Sequence, residues 1–143
     1  MTTLEEFAAL AAREHGLVVV STVRADGTVQ ASVVNAGAML NPLTGTPALA
    51  FVTYGQVKLA NLRARPRVTV TARAGWEWAT LEGTATLIGP ASDFGADRLR
   101  LLLREVFTAA GGEHDDWDEY DRVMAEQHRT AVLIEPSRIY SNA

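Results

Sequence analysis

Hydrophobic positions follow a helical period at the start of the chain and then change to the period of β-strands. The first apolar residues recur every three or four positions as far as Gly16, at Leu4, Phe7, Ala8 and Ala11. This spacing predicts a helix, and the threonines at positions 2 and 3, each followed three residues later by a glutamate, are typical of a capping box at its start. After Gly16 two β-branched runs in LVVVSTVRADGTVQASVVNAGAML are joined by Ala25-Asp26-Gly27. Because Asp-Gly supplies the positive φ angles of a tight turn, these runs predict a hairpin.

Four more strands and a short helix are predicted in the segments that follow. PALAFVTY predicts a third strand after the turn from Pro42 to Pro47, and RVTVTARA and EWATLEGTATLIG predict a fourth and a fifth around Gly75. The C-terminal segment TAVLIEPSRIYSNA predicts the sixth. Between the third and fourth strands, QVKLANLRAR predicts a short helix that ends at Pro66, because proline cannot continue it.

Two helices are predicted between the fifth and sixth strands. An apolar stripe indicates the first of them, at Leu99, Leu102, Leu103, Val106 and Ala110. Core packing explains this stripe. Two adjacent glycines end the helix, and Asp116 with Glu119 can cap the next. His114 lies beside acidic residues, but acidic side chains in a first turn ordinarily complement the helix dipole. No metal site is therefore expected.

The order of these elements predicts one mainly β domain over residues 1–143. Six strands that arrive mostly as antiparallel neighbours, with helices inserted at the ends, favour a small six-stranded antiparallel barrel, closed or half-closed. Strands 1 and 3 show little alternation, so both of their faces are expected to be covered. In a chain of this size the second cover is most easily a partner subunit, and a two-fold homodimer is the commonest arrangement.

Composition narrows the classes of function. The chain has no cysteine, which excludes disulfides and cysteine nucleophiles and agrees with a reducing compartment. A net charge of −4 argues against nonspecific nucleic-acid binding, which depends on a positive field at the phosphates. No basic and apolar leader starts the sequence, and no apolar run approaches the roughly 20 residues that span a bilayer. We therefore expect a cytoplasmic protein that binds neither membrane nor nucleic acid.

Lys58 is the only lysine in a chain with twelve arginines. A compact ammonium group suits a point anion such as phosphate, whereas a guanidinium prefers a planar fork or a stack. Lys58 also lies at the start of a predicted helix, where free backbone N–H groups and the dipole favour an anion. On the residues alone, a phosphate site and the chance product of a strong arginine bias both stay open.

Several segments together resemble a known family. The hairpin, ALAFVTY, KLANLRARPRVTV, EWATLEGTATLIGP and GEHDDWDEY, in this order, resemble the pyridoxamine 5′-phosphate oxidase-like split β-barrel family. More narrowly, they are similar to the actinobacterial branch that uses the deazaflavin coenzyme F-420. The resemblance covers nearly the whole chain. It implies an FMN-binding split-barrel fold, a homodimer with two cofactor sites at its interface, and a flavin-like ring against strands 2 and 3.

The resemblance also implies a set of cofactor-binding residues. Lys58 falls where the family places its phosphate-binding lysine. The positions that line the ring in the family are, on strands 2 and 3, Ser32, Val33, Val34, Asn35, Val52 and Thr53. Trp76 and Trp78 fall where the family often reaches across the dimer with an aromatic residue, although an ordinary interface pair is the alternative.

Gln56 and Asn61, on the short helix, complete the set. Asn61 either contacts the cofactor or holds the helix to a neighbouring loop. Gln56 and Ala60 stand where relatives commonly carry basic residues, so this chain has lost positive charge there. The arginines at 63, 65 and 67 are candidates to compensate.

The function implied by the resemblance is that of an F-420-dependent oxidoreductase. Reduced F-420 would donate a hydride to a small electron-poor acceptor such as an enone, quinone or tetrapyrrole. Because the cofactor carries the chemistry, no catalytic side chain is expected. The alternatives are an FMN-binding oxidase of the pyridoxamine phosphate type and a noncatalytic carrier of flavin, deazaflavin or haem. A haem carrier needs a histidine at the pocket, whereas His15, His114 and His128 lie on predicted helices or caps away from strands 2 and 3.

Overall fold

The structure is a computed structural model that describes residues 2–143. These residues form four helices and six strands, in the order α1 (Leu4–Ala12), β1 (Leu17–Val23), β2 (Val29–Leu40), β3 (Pro47–Thr53), α2 (Gln56–Ala64), β4 (Arg67–Ala74), β5 (Glu77–Ile88), α3 (Ala96–Ala109), α4 (Trp117–Glu126) and β6 (Thr130–Ser141). Every helix and strand predicted from the hydrophobic pattern is present. No helix within residues 2–143 is long and apolar enough to cross a membrane.

The six strands form a closed antiparallel barrel in the order β1-β2-β3-β6-β5-β4, which confirms the predicted fold class. The hairpin of β1 and β2 is paired from Leu17 opposite Asn35 to Val23 opposite Val29. Its turn is built as the sequence indicates. Gly27 has a φ of 86°, and the Asp26 carboxylate accepts hydrogen bonds from the Thr28 N–H and hydroxyl at 3.0 and 2.6 Å.

Helix α1 plugs one mouth of the barrel. It contacts all six strands, and its Phe7 packs fully buried among barrel-lining side chains such as Phe51 and Leu81. Burying an aromatic or aliphatic side chain of this size stabilises the fold by roughly 1.5–3 kcal/mol. The capping box forms with Thr3 and Glu6, which decides between the two threonines left open by the sequence.

Helix α2 lies at the opposite mouth. It contacts β1 near the C-terminal end of that strand, where Arg65 donates to the Val23 carbonyl at 2.8 Å. Its apolar side chains Leu59 and Leu62 join the same core as α1. The two short helices therefore close the barrel interior from both ends.

Helices α3 and α4 cover the outside of β3 and form a second core. Ala48 and Ala50 of β3 are fully buried against this pair of helices, which contributes Leu102 and Val106. Gly37 lets the end of α3 approach β2, because a Cβ at that position would overlap the Ala109 backbone. The second cover of β3 therefore lies within the chain, which corrects the expectation that a partner subunit supplies it.

Strands β2 and β3 separate before they end. Their ladder runs only from Leu40 opposite Pro47 to Ala36 opposite Phe51. Toward the α2 mouth, the rest of β2 pairs with β1 alone and the rest of β3 pairs with β6 alone. We call the gap between them the split. At the split, each of the two strands presents an edge that does not pair with the other.

Candidate functional site

A cavity of about 440 Å³ lies at the split. Its walls come from both separated strands and from three helices, and its lining residues are Val33, Val34, Asn35, Val52, Thr53, Tyr54, Lys58, Val106, Phe107, Tyr120, Met124 and Arg129. Six of the cofactor-binding positions expected from the sequence are in this set, at 33, 34, 35, 52, 53 and 58. Ser32, Gln56, Asn61, Trp76 and Trp78 are not.

The edge of β2 turns backbone polar groups toward this cavity. In an antiparallel ladder, alternate residues bond to the strand on either side. The Ala36 N–H donates to the Gly16 carbonyl at 2.8 Å, on the β1 side. Val33 and Asn35, at odd offsets from Ala36, therefore direct their N–H and C=O groups toward β3. The ladder with β3 has already ended at that level.

The edge of β3 also turns backbone polar groups toward the split, from the opposite side. Ala50 faces Gly37 of β2 in the ladder, and Val52 two residues later points the same way beyond the end of the ladder. On its other side Val52 lies opposite Ala131 of β6. The cavity is thus bordered by two strand edges that offer backbone donors and acceptors to a planar polar ligand.

Lys58 supplies a buried cation to the cavity. It stands in the first turn of α2, is only 7% exposed, and directs Nζ to the Thr53 hydroxyl at 3.5 Å. The ammonium also lies 5.8 Å from the centroid of the Phe51 ring. No carboxylate within residues 2–143 pairs with Lys58, and burial lowers the pKa of its ammonium group. Because burying an unpaired charge is costly, the site favours an anionic ligand that restores the balance.

The local sequence fixes Lys58 in this position. Gly55 caps α2 without a side-chain hydrogen bond, so the first-turn N–H groups are not satisfied by a cap. Thr53 holds the approach to the helix, since its hydroxyl accepts from the Gly55 N–H at 3.2 Å as well as from Lys58. An anion beside Lys58 would therefore also meet the positive end of the α2 dipole.

The wall opposite the strands was missed by the sequence analysis. It is formed by α3, α4 and the residues that flank them, including Phe107, Tyr120 and Arg129. The Tyr120 hydroxyl donates to the Leu103 carbonyl at 2.9 Å, and burial raises the pKa of Tyr120 to about 12. The only available signal was the apolar stripe of α3. That stripe predicts that the side chains are buried. It does not predict that one of them, Val106, also lines this cavity.

Two of the strand residues have structural contacts of their own. The Asn35 amide donates to the His15 carbonyl at 2.6 Å and to the Ala110 carbonyl at 3.3 Å, so its side chain ties β2 to the ends of α1 and α3. Asn35 therefore borders the cavity chiefly through its backbone. The Ser32 hydroxyl oxygen is buried without a hydrogen-bond partner in the described residues, although Ser32 does not line the cavity.

The two remaining α2 positions face away from the cavity. Asn61 is buried and donates to the Thr22 hydroxyl at 3.0 Å, which fastens α2 to β1. The sequence left open that Asn61 holds the helix to a neighbouring loop, whereas the structure shows it bonded to a strand. Gln56 lies at the exposed start of α2 and lines a neighbouring groove of about 500 Å³ together with Arg63.

The two tryptophans lie at the other mouth of the barrel. Trp76 is in the turn between β4 and β5 and is 94% exposed, while Trp78 packs its edge against Tyr140 with centroids 6.2 Å apart. The Asn142 side chain donates to the Trp76 carbonyl at 2.7 Å. Within one chain these residues do not meet the cavity.

Comparison with known proteins assigns the family. The profile of the pyridoxamine 5′-phosphate oxidase family matches residues 4–142. The chain belongs to this family. Solved structures of other pyridoxamine 5′-phosphate oxidase-like proteins support the same fold, at identities too low to carry function.

Three of these structures cover nearly the whole chain. A conserved hypothetical protein from Mycobacterium tuberculosis is 20% identical, with a TM-score of 0.68 over 99% of this chain and 84% of that one. An F420 reductase is 16% identical, with a TM-score of 0.59 over 87% and 88% of the two chains. An FMN-binding protein from Nostoc punctiforme, related to pyridoxamine 5′-phosphate oxidase, is 15% identical, with a TM-score of 0.63 over 94% and 80%.

Replacing Lys58 by methionine in this family member tests whether its charge serves binding or folding. We expect Lys58→Met to stabilise the ligand-free protein by about 0.5–2 kcal/mol at neutral pH, because an unpaired charge is removed from a buried position. Urea unfolding measures this change. Val57→Met, at an exposed neighbouring position on α2, is the matched control.

The pH dependence has a definite sign. The pKa of Lys58 is lower in the folded than in the unfolded protein, so the unfolded state binds more protons and stability rises as pH increases through the lowered pKa. This increment should be absent from Lys58→Met. If Lys58→Met is less stable than the unmodified protein at every pH of this titration, Lys58 serves folding.

Proposed function

We propose that this protein is an F-420-dependent oxidoreductase that transfers a hydride between the reduced deazaflavin and a small electron-poor organic acceptor. The observation that carries the proposal is the cavity at the split. It combines unpaired strand edges with the buried Lys58, and none of its lining residues is an aspartate or glutamate. A planar polar ring attached to a phosphate matches both features.

The described residues fit such a cofactor in two parts. The backbone groups of Val33, Asn35 and Val52 suit hydrogen bonds to the polar edge of the ring, and Lys58 suits the phosphate. Bound F-420 would supply the hydride chemistry. The chain would supply orientation, a positive field and shielding from water by Phe107 and the other side chains of α3 and α4.

Apart from Lys58, which we assign to the phosphate, the lining offers no side chain suited to acid–base catalysis near neutral pH. Tyr120 is its most perturbed phenol, and burial raises the pKa of this group to about 12 while its proton is donated to the Leu103 carbonyl. No histidine or carboxylate lines the cavity in residues 2–143. This supports an activity in which the cofactor reacts directly with its acceptor. It also disfavours a haem carrier that would need a histidine ligand there.

A second observation favours F-420 over FMN. The groove of about 500 Å³ beside α2 contains Arg63 and no carboxylate among its lining residues. F-420 continues beyond its phosphodiester into an acidic glutamate tail, which can extend along this groove, whereas FMN ends at its phosphate. Arg65 lies elsewhere, since it donates to the Val23 carbonyl and to Asn61. Of Arg63 in α2 and Arg65 at its C-cap, we therefore assign Arg63 to the tail.

Titration of the purified protein with both coenzymes tests this preference. F-420 should bind tighter than FMN at low salt. Arg63→Gln should weaken F-420 by about two- to fivefold, as expected for one exposed, salt-screened contact, and leave FMN unchanged. Arg138→Gln, an exposed arginine on β6 outside the groove, is the control. If FMN binds tighter at every ionic strength, the FMN-dependent oxidase becomes the better assignment.

We further propose that two chains assemble through the outer face of the first hairpin. This face carries exposed valine and leucine side chains, between 37% and 62% exposed, at Leu17, Val19, Val23, Val29 and Val33. The strand register places them side by side. Val33 also lines the cavity, so the apolar face is continuous with the site. A second copy seated there would cover it and border the cavity, in agreement with the dimer implied by the family resemblance.

Sedimentation at micromolar concentration tests the assembly. We expect a homodimer, and Val19→Glu should shift it toward monomer, because a charge at the centre of an apolar interface must be desolvated. Leu101→Glu, at an exposed leucine on α3, should leave the dimer intact. A 15.4 kDa monomer for the unmodified protein would contradict the proposal.

A further inference from the structure

Arg129 lies in the wall between two cavities. It lines the cavity at the split and also a second cavity of about 560 Å³, which lies between α3, α4 and the segment that joins β5 to α3. Met124 is the only other residue that the two linings share. Arg129 is thus a second cation in contact with the Lys58 cavity, and nothing in the sequence pattern had marked it as a site residue.

The charge of Arg129 is held without a carboxylate. Its guanidinium carbon lies 3.9 Å from the centroid of the Tyr54 ring, and its Nε donates to the Gln127 side chain at 2.8 Å. Arg129 forms no ion pair within residues 2–143, and its two terminal nitrogens make no hydrogen bond there. The side chain is half-buried, and burial lowers the pKa of its guanidinium group. Stacking fixes the plane of the fork and leaves its terminal N–H groups for an oxyanion.

A left-handed turn at His128 positions Arg129 in the wall of the cavity. After α4 ends, His128 adopts a φ of 50°, and the Arg129 N–H donates to the Met124 carbonyl at 3.0 Å. This closing pattern leads directly into β6. Thr130, the next residue, lies opposite Thr53 of β3. Because Thr53 is the partner of Lys58, the two cations flank one pair of facing threonines.

We propose that Arg129 is a second phosphate-binding residue of the cavity at the split, acting together with Lys58. The cavity lining then carries two positive charges and no negative one, in a chain whose net charge is −4. Arg129 then supplies positive charge to a cavity whose helix α2 lacks it at Gln56 and Ala60. The identity of the coenzyme rests on the proposed function. The binding of phosphate by Arg129 does not.

Thermal unfolding in inorganic phosphate tests the inference without a coenzyme. Phosphate should raise the melting temperature of the unmodified protein above that in chloride at equal ionic strength, and Arg129→Gln should remove most of this increment. Arg129→Lys keeps the charge and should retain part of it. Arg122→Gln, an exposed arginine on α4 that pairs with Glu119 and Glu126, should retain all of it. Equal increments in the unmodified protein and in Arg129→Gln would overturn the inference, as would no increment in either.

Paired ligands then identify the source of the phosphate. If Arg129 holds the cofactor phosphate, Arg129→Gln should weaken FMN by about tenfold or more and leave riboflavin, which lacks the phosphate, nearly unchanged. An equal loss for both ligands would overturn the inference, because it would place the effect on the ring or on folding. A loss of phosphate stabilisation with unchanged FMN affinity would support it and assign the phosphate to the acceptor. Failure of F-420 to bind, with the FMN and phosphate results as expected, would reject only the F-420 assignment.

Discussion

The early end of the ladder between β2 and β3 is the constraint on which the rest of the structure depends. Backbone polar groups in a barrel wall are normally paired across both edges of every strand. Here pairing stops at Ala36 and Phe51, and the groups of Val33, Asn35 and Val52 are left facing a gap. The closed core tolerates this because α1 and α2 fill the interior from both mouths and α3 with α4 cover β3 from outside. The proposed ligand site therefore lies in the wall of the barrel, outside the apolar core that α1 and α2 close.

Charge is arranged around the same gap. Lys58 is buried without a carboxylate, and Arg129 is half-buried with only a ring and an amide as partners. We expect both positions to lower the stability of the ligand-free protein, since no carboxylate within residues 2–143 pairs with either charge. Natural proteins often retain destabilising residues where these residues serve binding. An anionic ligand that binds here would raise the free energy of unfolding again. Asp121 is a contrast within the same chain. It is paired with Arg100 and Arg104, and the hydrogen bond from Arg104 lowers the pKa of its carboxyl group.

Much of the fold could be predicted from the sequence because the determining signals are local. Asp26-Gly27 fixes the first hairpin, Pro66 ends α2, and the period of the apolar positions separates strands from helices. The exposed face of β1 and the covered face of β3 could not be distinguished in this way, since a run of apolar residues does not reveal what lies against it. Arg129 was missed for a related reason. Its role depends on a left-handed turn at His128 and on a register that brings β6 beside Tyr54, and neither is encoded by a nearby pattern. Lys58 attracted attention as the only lysine of the sequence, but its phosphate role was suggested by the family resemblance and not by composition.

The central claim is that the unpaired edges of β2 and β3 bind the coenzyme. Amide hydrogen exchange with and without F-420 tests it most directly, because a bound ligand should protect the amides of these edges. The amides of Val33, Asn35 and Val52 should exchange rapidly in the free protein and be strongly protected when the coenzyme is added. Amides in the ladder between β4 and β5, such as that of Leu81, should be unaffected, because they are paired in both states. Protection that appears elsewhere while the edges of the split continue to exchange rapidly would contradict the account.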